Sequence, residues 1–422
     1  AGVHIENQAL IPAIVFDDVT NVQGELFVLD VPPANQSYAI RATKSGYSTD
    51  QTQDPHTPPN PVLPHATVSA GQSTQITLRI DKTSSLLVES VTQVCAPVPS
   101  VSFSLTGSKL VATNPAVKKY SEQFETSFAG QKTVSNLEWD QYALALQDSS
   151  YDTRGIIPSS PFSLVPDSAQ NVKLVLSSSV PISALVNVRD VGTQLPLSGA
   201  DVTLRKGQTS ATNTTGRGSL KQTDWSGGAG QQDMGDATKF SSGDGALNIS
   251  HQGEVRLAEF GEEYAVSGML ISSTFDTGSA SNFYQLSWQP QNQPPQTGAE
   301  SVRFQFAANN DKQTWNFVGP DGTPNTYFTI SNATLPAALQ GKRYARYKLF
   351  LQTADPSSTP VISDIAFTFS SSCVPPGQVL FQGLSSGGYE LTVSKQGYQT
   401  WTDTVSITAS GSYYDVSLIP SS

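Results

Sequence analysis

The chain has 422 residues, enough for three or four domains with separate cores, and only 14% of them are charged. Its formal net charge of -11 disfavours nucleic acid as a partner, because a phosphate footprint needs clustered Lys and Arg. It contains no run of 18 apolar residues, so no membrane partner is expected for the chain as given.

Short alternating apolar runs separated by turn residues predict an all-β protein. Residues 1–82 read as a first sandwich repeat: GVHIEN, AIVFDDV, GELFVLDV and SYAIRATKSGY, a Pro-rich loop (DPHTPPNPVLPH), and the closing run ATVSAGQSTQITLRI. Residues 83–180 form the second repeat, with VSFSL, the excursion SKLVATNPAVKKYSEQF and the closing run SLVPDSAQNVKLVL. Residues 181–216 and 373–422 make a third, split repeat that closes with SITASGSYYDVSLI.

The repeat is set by spacing. Gly24, Gly130 and Gly377 each start an apolar strand, followed by Tyr38, Tyr142 and Tyr389, and then by Tyr47, Tyr151 and Tyr398. Thr20 to Gly24 and Thr126 to Gly130 are Thr-x-x-x-Gly turns that run into the strand; the matching turn, Thr212 to Gly216, is separated from Gly377 by about 160 residues. A surface turn is where such a domain tolerates insertion best. Gly216 and Gly377 are therefore expected to be neighbours in space.

The second and third repeats begin with an extra strand, at 85–92 and 182–189, that the first lacks. The first repeat is thus expected to be a sandwich without its first strand, part of a fragment, with an open edge through which the protein self-associates.

The insert, 217–372, opens with the Gly-rich run DWSGGAGQQDMGDATKFSSGDG, which predicts a flexible loop. Beyond it come VRLAEF, YAVSGMLI, FYQLSW, SVRFQFAA, WNFVG, TYFTI, RYARYKLFLQT and VISDIAFTF, about as many strands as a jelly roll needs.

YAIRATKSGY and YELTVSKQGY resemble the carboxypeptidase regulatory-like family. The resemblance implies tandem prealbumin-like β-sandwiches in an accessory role, with a jelly-roll-like sandwich inserted into the third. NLEWDQY, DWSGG, SSTFDTGSASNFYQLSW, VGPDGT and SSCVPPGQV resemble large pilin-type surface proteins of ultra-small uncultured bacteria, which implies an extracellular or cell-surface location.

Two cysteines are too few for a disulfide scaffold. Cys95 and Cys373 either bond, pinning neighbouring domains in an oxidising compartment, or are two buried free thiols. The paired repeat tyrosines and Trp139 read as core or corner residues.

In the insert the aromatic concentration suggests a glycan or polymer platform built from Tyr284, Trp288, Trp315 and Tyr327, with Arg346, Arg303 or Arg343 donating hydrogen bonds. Alternation along FYQLSW predicts Tyr284, Leu286 and Trp288 on one face. The acidic loops at Asp233, Asp236, Asp244 and Asp276 are explained by turn chemistry, so no metal and no cofactor is expected.

No Gly-x-Ser-x-Gly or His-Glu-x-x-His motif occurs. Ser250 and His251 with Asp244 or Glu254, and His65 with Asp54 and His56, are the local clusters that could serve hydrolysis; Glu259, Glu262 and Glu263 read as a solvated run. The expected function is a secreted or cell-surface adhesin-like or pilin-associated protein that binds carbohydrate or another polymer through the insert. The alternative is a secreted polymer-directed hydrolase; a pure filament subunit is the third reading.

Overall fold

The computed structural model describes residues 1–421. Strands and turns dominate, and the only helical pieces among the described residues are two 3-10 turns, Pro295–Thr297 and Ala337–Leu339. The chain divides into two compact units: one holds Ala1–Ser90, Pro97–Asp152 and Ile156–Leu174, the other Val91–Ala96, Thr153–Gly155 and everything from Val175 on.

The second repeat shows how the sequence makes a sandwich. Strand Ser84–Thr92 buries alternate side chains, with Leu86 and Val88 fully covered, because a strand projects successive residues to opposite faces. It is central in a sheet ordered Gln131–Leu137, Ser84–Thr92, Ala169–Ser178, Tyr151–Ile157. The companion sheet is ordered Ser121–Glu125, Ser102–Gly107, Asp140–Leu146, Phe162–Leu164.

In the first repeat one sheet forms, ordered Ile14–Val19, Gly2–Asn7, Ala34–Thr43, Asp50–Gln51, with Ala66–Val68 on Ala34–Thr43. The runs GELFVLDV and QSTQITLRI, predicted as strands, are not strands. A strand exists only where a neighbour completes its ladder, and among the described residues neither run has one.

A tyrosine corner recurs in all three repeats. The buried hydroxyls of Tyr38, Tyr142 and Tyr389 donate to the carbonyls of Pro32, Glu138 and Ser385 at 2.7, 3.0 and 2.7 Å. This anchors the chain at the start of a strand and satisfies a polar group in the core. Trp139 departs from the expected core role: it is half exposed, under the ammonium of Lys109 at 5.3 Å.

The third repeat joins distant segments. Ser183–Asp190 pairs antiparallel with Gln378–Gln382 and parallel with Ser412–Leu418. Asp201–Lys206 lies between Thr209–Thr214 and Gly387–Ser394, with Trp401–Ile407 beyond. At the splice the Gly216 N–H donates to the Gln378 carbonyl at 3.1 Å, and the Gly377 N–H to the Ser198 hydroxyl at 3.1 Å. Gly377 has φ +69°, and a Cβ there would stand 2.6 Å from Pro196 Cβ and 2.7 Å from the Val188 carbonyl. Only glycine fits that position.

The intervening segment forms a sheet in the order Gly218–Gln222, Asp364–Ser370, Phe275–Gln289, Lys342–Gln352, Ser267–Ser272, Phe240–Gly243, with Val302–Asn309 also on Lys342–Gln352. Strand Phe275–Gln289 changes partner along its length, from Lys342–Gln352 at Phe275 to Asp364–Ser370 beyond Asn282. The two halves so created enclose a core of Phe275, Phe283, Phe304, Phe306, Phe367 and Phe369. WNFVG and TYFTI, predicted as strands, make only single bridges, Val318 to Phe306 and Phe328 to Phe304.

The Gly-rich run is not a free loop. Trp225 within it is fully buried and its indole N–H donates to the Tyr347 hydroxyl at 2.8 Å. That hydroxyl in turn donates to Gln222 Oε1 at 2.6 Å, while the Gln222 amide donates to the carbonyls of Asp224, Ala237 and Lys239 at 3.1, 3.2 and 2.9 Å. Burial pushes the Tyr347 phenol far above its usual value, so it acts here as a neutral donor and acceptor.

Cys95 and Cys373 are bonded, with Cα atoms 5.4 Å apart across a sequence separation of 278. Both lie in the second unit. Beside the bond, the Gln93 amide donates to the Ser219 carbonyl at 2.7 Å and accepts from the Ser219 N–H at 3.2 Å. Replacing both cysteines with serine removes a long-range cross-link, with an expected loss of about 2–4 kcal/mol, read as a lower denaturant midpoint.

Candidate functional site

Strand Lys342–Gln352 buries Tyr347, Leu349 and Leu351, so alternation turns Tyr344, Arg346, Lys348, Phe350 and Gln352 to the opposite face. Its neighbours set what stands beside them. Phe350 is registered with Met269 on one side and Arg303 on the other, and Lys348 with Ile271 and Gln305. The covering segment then adds Tyr327, whose ring meets Phe350 edge to face at 5.2 Å and lies 4.8 Å from the Arg303 guanidinium.

The result is a row of half-buried groups, Met269, Phe350, Arg303 and Tyr327, crossing the sheet, with Lys348 one step along. Arg303 donates to Gln352 Oε1 at 2.9 Å, and the Lys348 ammonium sits 4.9 Å from the Phe350 ring. Among the described residues neither cation has a carboxylate within ion-pair distance. Aromatic faces, apolar edges and two cations without counter-charge are the chemistry that holds a hydroxyl-rich or acidic polymer.

The five residues singled out by sequence do not form one platform. Trp288 is a core residue, 2% exposed, with its ring 4.7 Å from that of Phe304. The cause is a bulge: the ladder shifts between Phe283 and Gln285, so Phe283, Leu286 and Trp288 share the core face and Tyr284 is left off it. Alternation thus holds for Leu286 and Trp288 and fails at Tyr284.

Tyr284 lies on the half of the sheet paired with Asp364–Ser370. Arg217 covers its ring at 4.1 Å and its hydroxyl is 3.0 Å from that of Ser370.

Trp315 and Arg346 do meet, 4.6 Å from guanidinium to ring. Arg346 is nonetheless a tether, because it is buried and donates to Thr274 Oγ1 at 3.0 Å, Ser241 Oγ at 3.3 Å, and the Gln232 carbonyl and Oε1 at 2.8 and 2.9 Å. Desolvation lowers its pKa, so its charge is held at a cost that those acceptors offset. Of the five, Tyr327 alone sits in the cross-strand row. Phe350, Lys348 and Met269 were missed; their register with Arg303 is long-range and leaves no local signal.

Arg343 grips Asp276 with two bonds, at 2.8 and 3.0 Å. Burial pushes the Asp276 carboxyl up, but Arg343 and the Gly278 N–H outweigh it and hold it below the usual carboxylate value. The other acids are also engaged: Asp236 accepts from Thr238, Asp244 from the Ala246 and Met269 N–H groups, and Asp233 pairs with Lys312 at 3.3 Å.

Of the clusters that could serve hydrolysis, Ser250 and His251 turn to other partners, whereas His56 and Asp54 meet. Ser250 donates to Asn248 Oδ1 at 2.8 Å, while His251 faces the Arg256 guanidinium at 3.0 Å. Asp54 accepts from the His56 N–H at 2.7 Å and its Oδ1 lies 3.3 Å from His56 Nδ1, an exposed turn contact. Glu259, Glu262 and Glu263 are exposed around a two-residue hairpin. A half-open cleft of about 240 Å³ lined by Ala229, Phe240, Leu247, Ile249, Met269 and Leu270 is apolar and converges no polar side chains.

These features define an all-β protein of sandwich repeats carrying a further sandwich within the third. No family model matches the chain, and no curated protein matches it. Among solved structures, the shaft pilin of Lactobacillus rhamnosus GG aligns at 11% identity and TM-score 0.17, covering 81% of this chain and 99% of that one. A streptococcal ancillary pilin aligns at 9% identity and TM-score 0.20 (100% and 92% covered), and the minor pilin of Streptococcus agalactiae at 10% and 0.19 (80% and 97%). TM-scores this low carry no argument about function.

Two outcomes separate core from surface. Trp288→Ala should cost about 3–5 kcal/mol in chemical denaturation, and Tyr327→Ala less than about 1 kcal/mol. The Asp276 carboxyl is depressed in the folded state, so its stabilisation is present above the unfolded value near pH 4 and is lost as pH falls through the lower folded one. Asp276→Asn should therefore shallow the fall in stability measured as pH is lowered below about 4.

Proposed function

We propose that this chain is a secreted or cell-surface, non-enzymatic adhesin-like protein, pilin-associated in character, whose inserted sandwich binds a carbohydrate or another polymer. Its repeats act as spacers that present the insert, in keeping with the carboxypeptidase regulatory-like resemblance of YAIRATKSGY and YELTVSKQGY. The single observation that carries the binding role is the cross-strand row of Met269, Phe350, Arg303 and Tyr327 with Lys348 beside it. Rings held by cation and edge contacts are pre-oriented, so little side-chain entropy is lost when a ligand docks.

The cations select for hydroxyl-rich chains that also carry carboxylate or sulfate, since among the described residues neither Arg303 nor Lys348 forms a salt bridge. An extracellular location is supported by the Cys95–Cys373 bond, which persists in oxidising compartments.

Co-sedimentation of the intact protein with insoluble neutral and uronic-acid polysaccharides tests the reading. Binding should fall roughly tenfold in Tyr327→Ala and in the Arg303→Ala/Lys348→Ala pair, with unchanged thermal unfolding, and should weaken with added salt. Wild-type protein that binds neither class, or variants that bind as well as wild type, would refute the assigned face.

A further inference from the structure

We propose that the apolar cleft beside Met269 is a subsite for an acyl ester group, so that the insert binds an acidic polysaccharide whose hydroxyls are partly acylated. The inference rests on the polymer-binding role of the cross-strand row and names the ligand of that row more closely.

The row continues past Met269. Gly243 is registered with Leu270, and the next residue, Asp244, donates its N–H to the Met269 carbonyl at 3.2 Å and accepts the Met269 N–H on its carboxylate at 2.9 Å. Neighbouring segments thus set Asp244, Met269, Phe350 and Arg303 side by side, with Tyr327 against Phe350 and Arg303. Adjacent strands lie about 4.8 Å apart, so Met269 and Arg303 are separated by about 10 Å across the sheet.

The two ends of the row differ in charge. Arg303 and Lys348 supply cations at one end, and the exposed Asp244 supplies a carboxylate at the other. An acidic group on a bound chain is drawn to the Arg303 end and turned away from the Asp244 end, which takes an uncharged group.

The cleft adjoins that second end. Met269 belongs to both row and cleft, and Gly243 and Gly245, on either side of Asp244, line the cleft together with Leu247 and Ile249. A Cβ on Gly245 would meet nothing within 4 Å, so open space adjoins the lining there. The volume of about 240 Å³ is below the roughly 300–1,000 Å³ of a pocket that takes a whole small ligand, and suits a substituent. Among the described residues that line it, none carries a polar side chain. The hydroxyls of a sugar ring would lose their hydrogen bonds to water inside it without replacement, whereas the alkyl part of an acyl ester is buried favourably. An ester on a sugar hydroxyl is also uncharged, as the neighbouring Asp244 requires.

Retention of the intact protein is measured on beads bearing an O-acetylated uronic-acid polysaccharide, the same polymer deacetylated with mild alkali, and that product chemically re-acetylated. The deacetylated form should bind roughly fivefold more weakly, the effect of leaving about one methyl group in water, and re-acetylation should restore the affinity. Ala229 is an exposed residue of the lining, so Ala229→Phe fills the cleft and should bring all three forms to equal affinity, while Tyr327→Ala weakens all three. Equal binding of the three forms by wild-type protein, or a preference for the acetylated forms that survives Ala229→Phe, would overturn the subsite and leave the polymer-binding face standing. Binding of none of the three removes that face and the subsite with it. Dimers in ultracentrifugation that Ala229→Phe dissolves would give the cleft to a second copy of this chain and overturn the acyl assignment.

Discussion

Strand Ser183–Asp190 is hydrogen-bonded on one edge to Gln378–Gln382 and on the other to Ser412–Leu418, and the third repeat cannot exist until both have returned to it. A β-ladder is a two-sided requirement: the backbone donors and acceptors of a central strand must be matched along both edges, or they are buried unpaired. The guest segment must therefore leave at Gly216 and re-enter at Gly377 within hydrogen-bonding reach. Their N–H groups do meet Gln378 and Ser198 there. Positive φ and the crowding from Val188 and Pro196 leave no room for a side chain at the re-entry point. The Cys95–Cys373 bond, four residues before Gly377, adds a covalent constraint close to the same junction.

The same requirement explains the contrast among the repeats. Where a central strand is present, its flanking runs become strands and their apolar residues are buried; where none is present, runs of the same type remain irregular, with Phe27 and Leu29 in solvent. Propensity favours strand for GELFVLDV as much as for GQVLFQGL. The difference lies wholly in the neighbour.

Within the insert, the buried hydrogen-bond chain from Trp225 through Tyr347 to Gln222 pins the Gly-rich run onto the core side of the sheet. Arg346 fastens the same run from the other face, through Gln232 and Ser241. With these tethers in place, the residues of Lys342–Gln352 beyond Arg346 are left to present Lys348 and Phe350 beside Arg303 and Tyr327. Packing and presentation are thus two faces of one strand. The alternation of its sequence, RYARYKLFLQ, divides them.

Periodicity and repeat spacing were enough, by themselves, to determine the all-β class and the equivalence of the Gly24, Gly130 and Gly377 turns, because those signals are local and recur. The buried hydroxyl anchors of Tyr38, Tyr142 and Tyr389 follow the same logic. Tertiary structure alone decided what depends on partners distant in sequence. The bulge at Tyr284 parted it from Leu286 and Trp288, Gln232 and Trp315 claimed Arg346, and register between separate strands set Phe350 beside Arg303. An alternating run states which residues share a face while the ladder is regular. Which face is covered, and by what, is settled only when another part of the chain takes its place alongside.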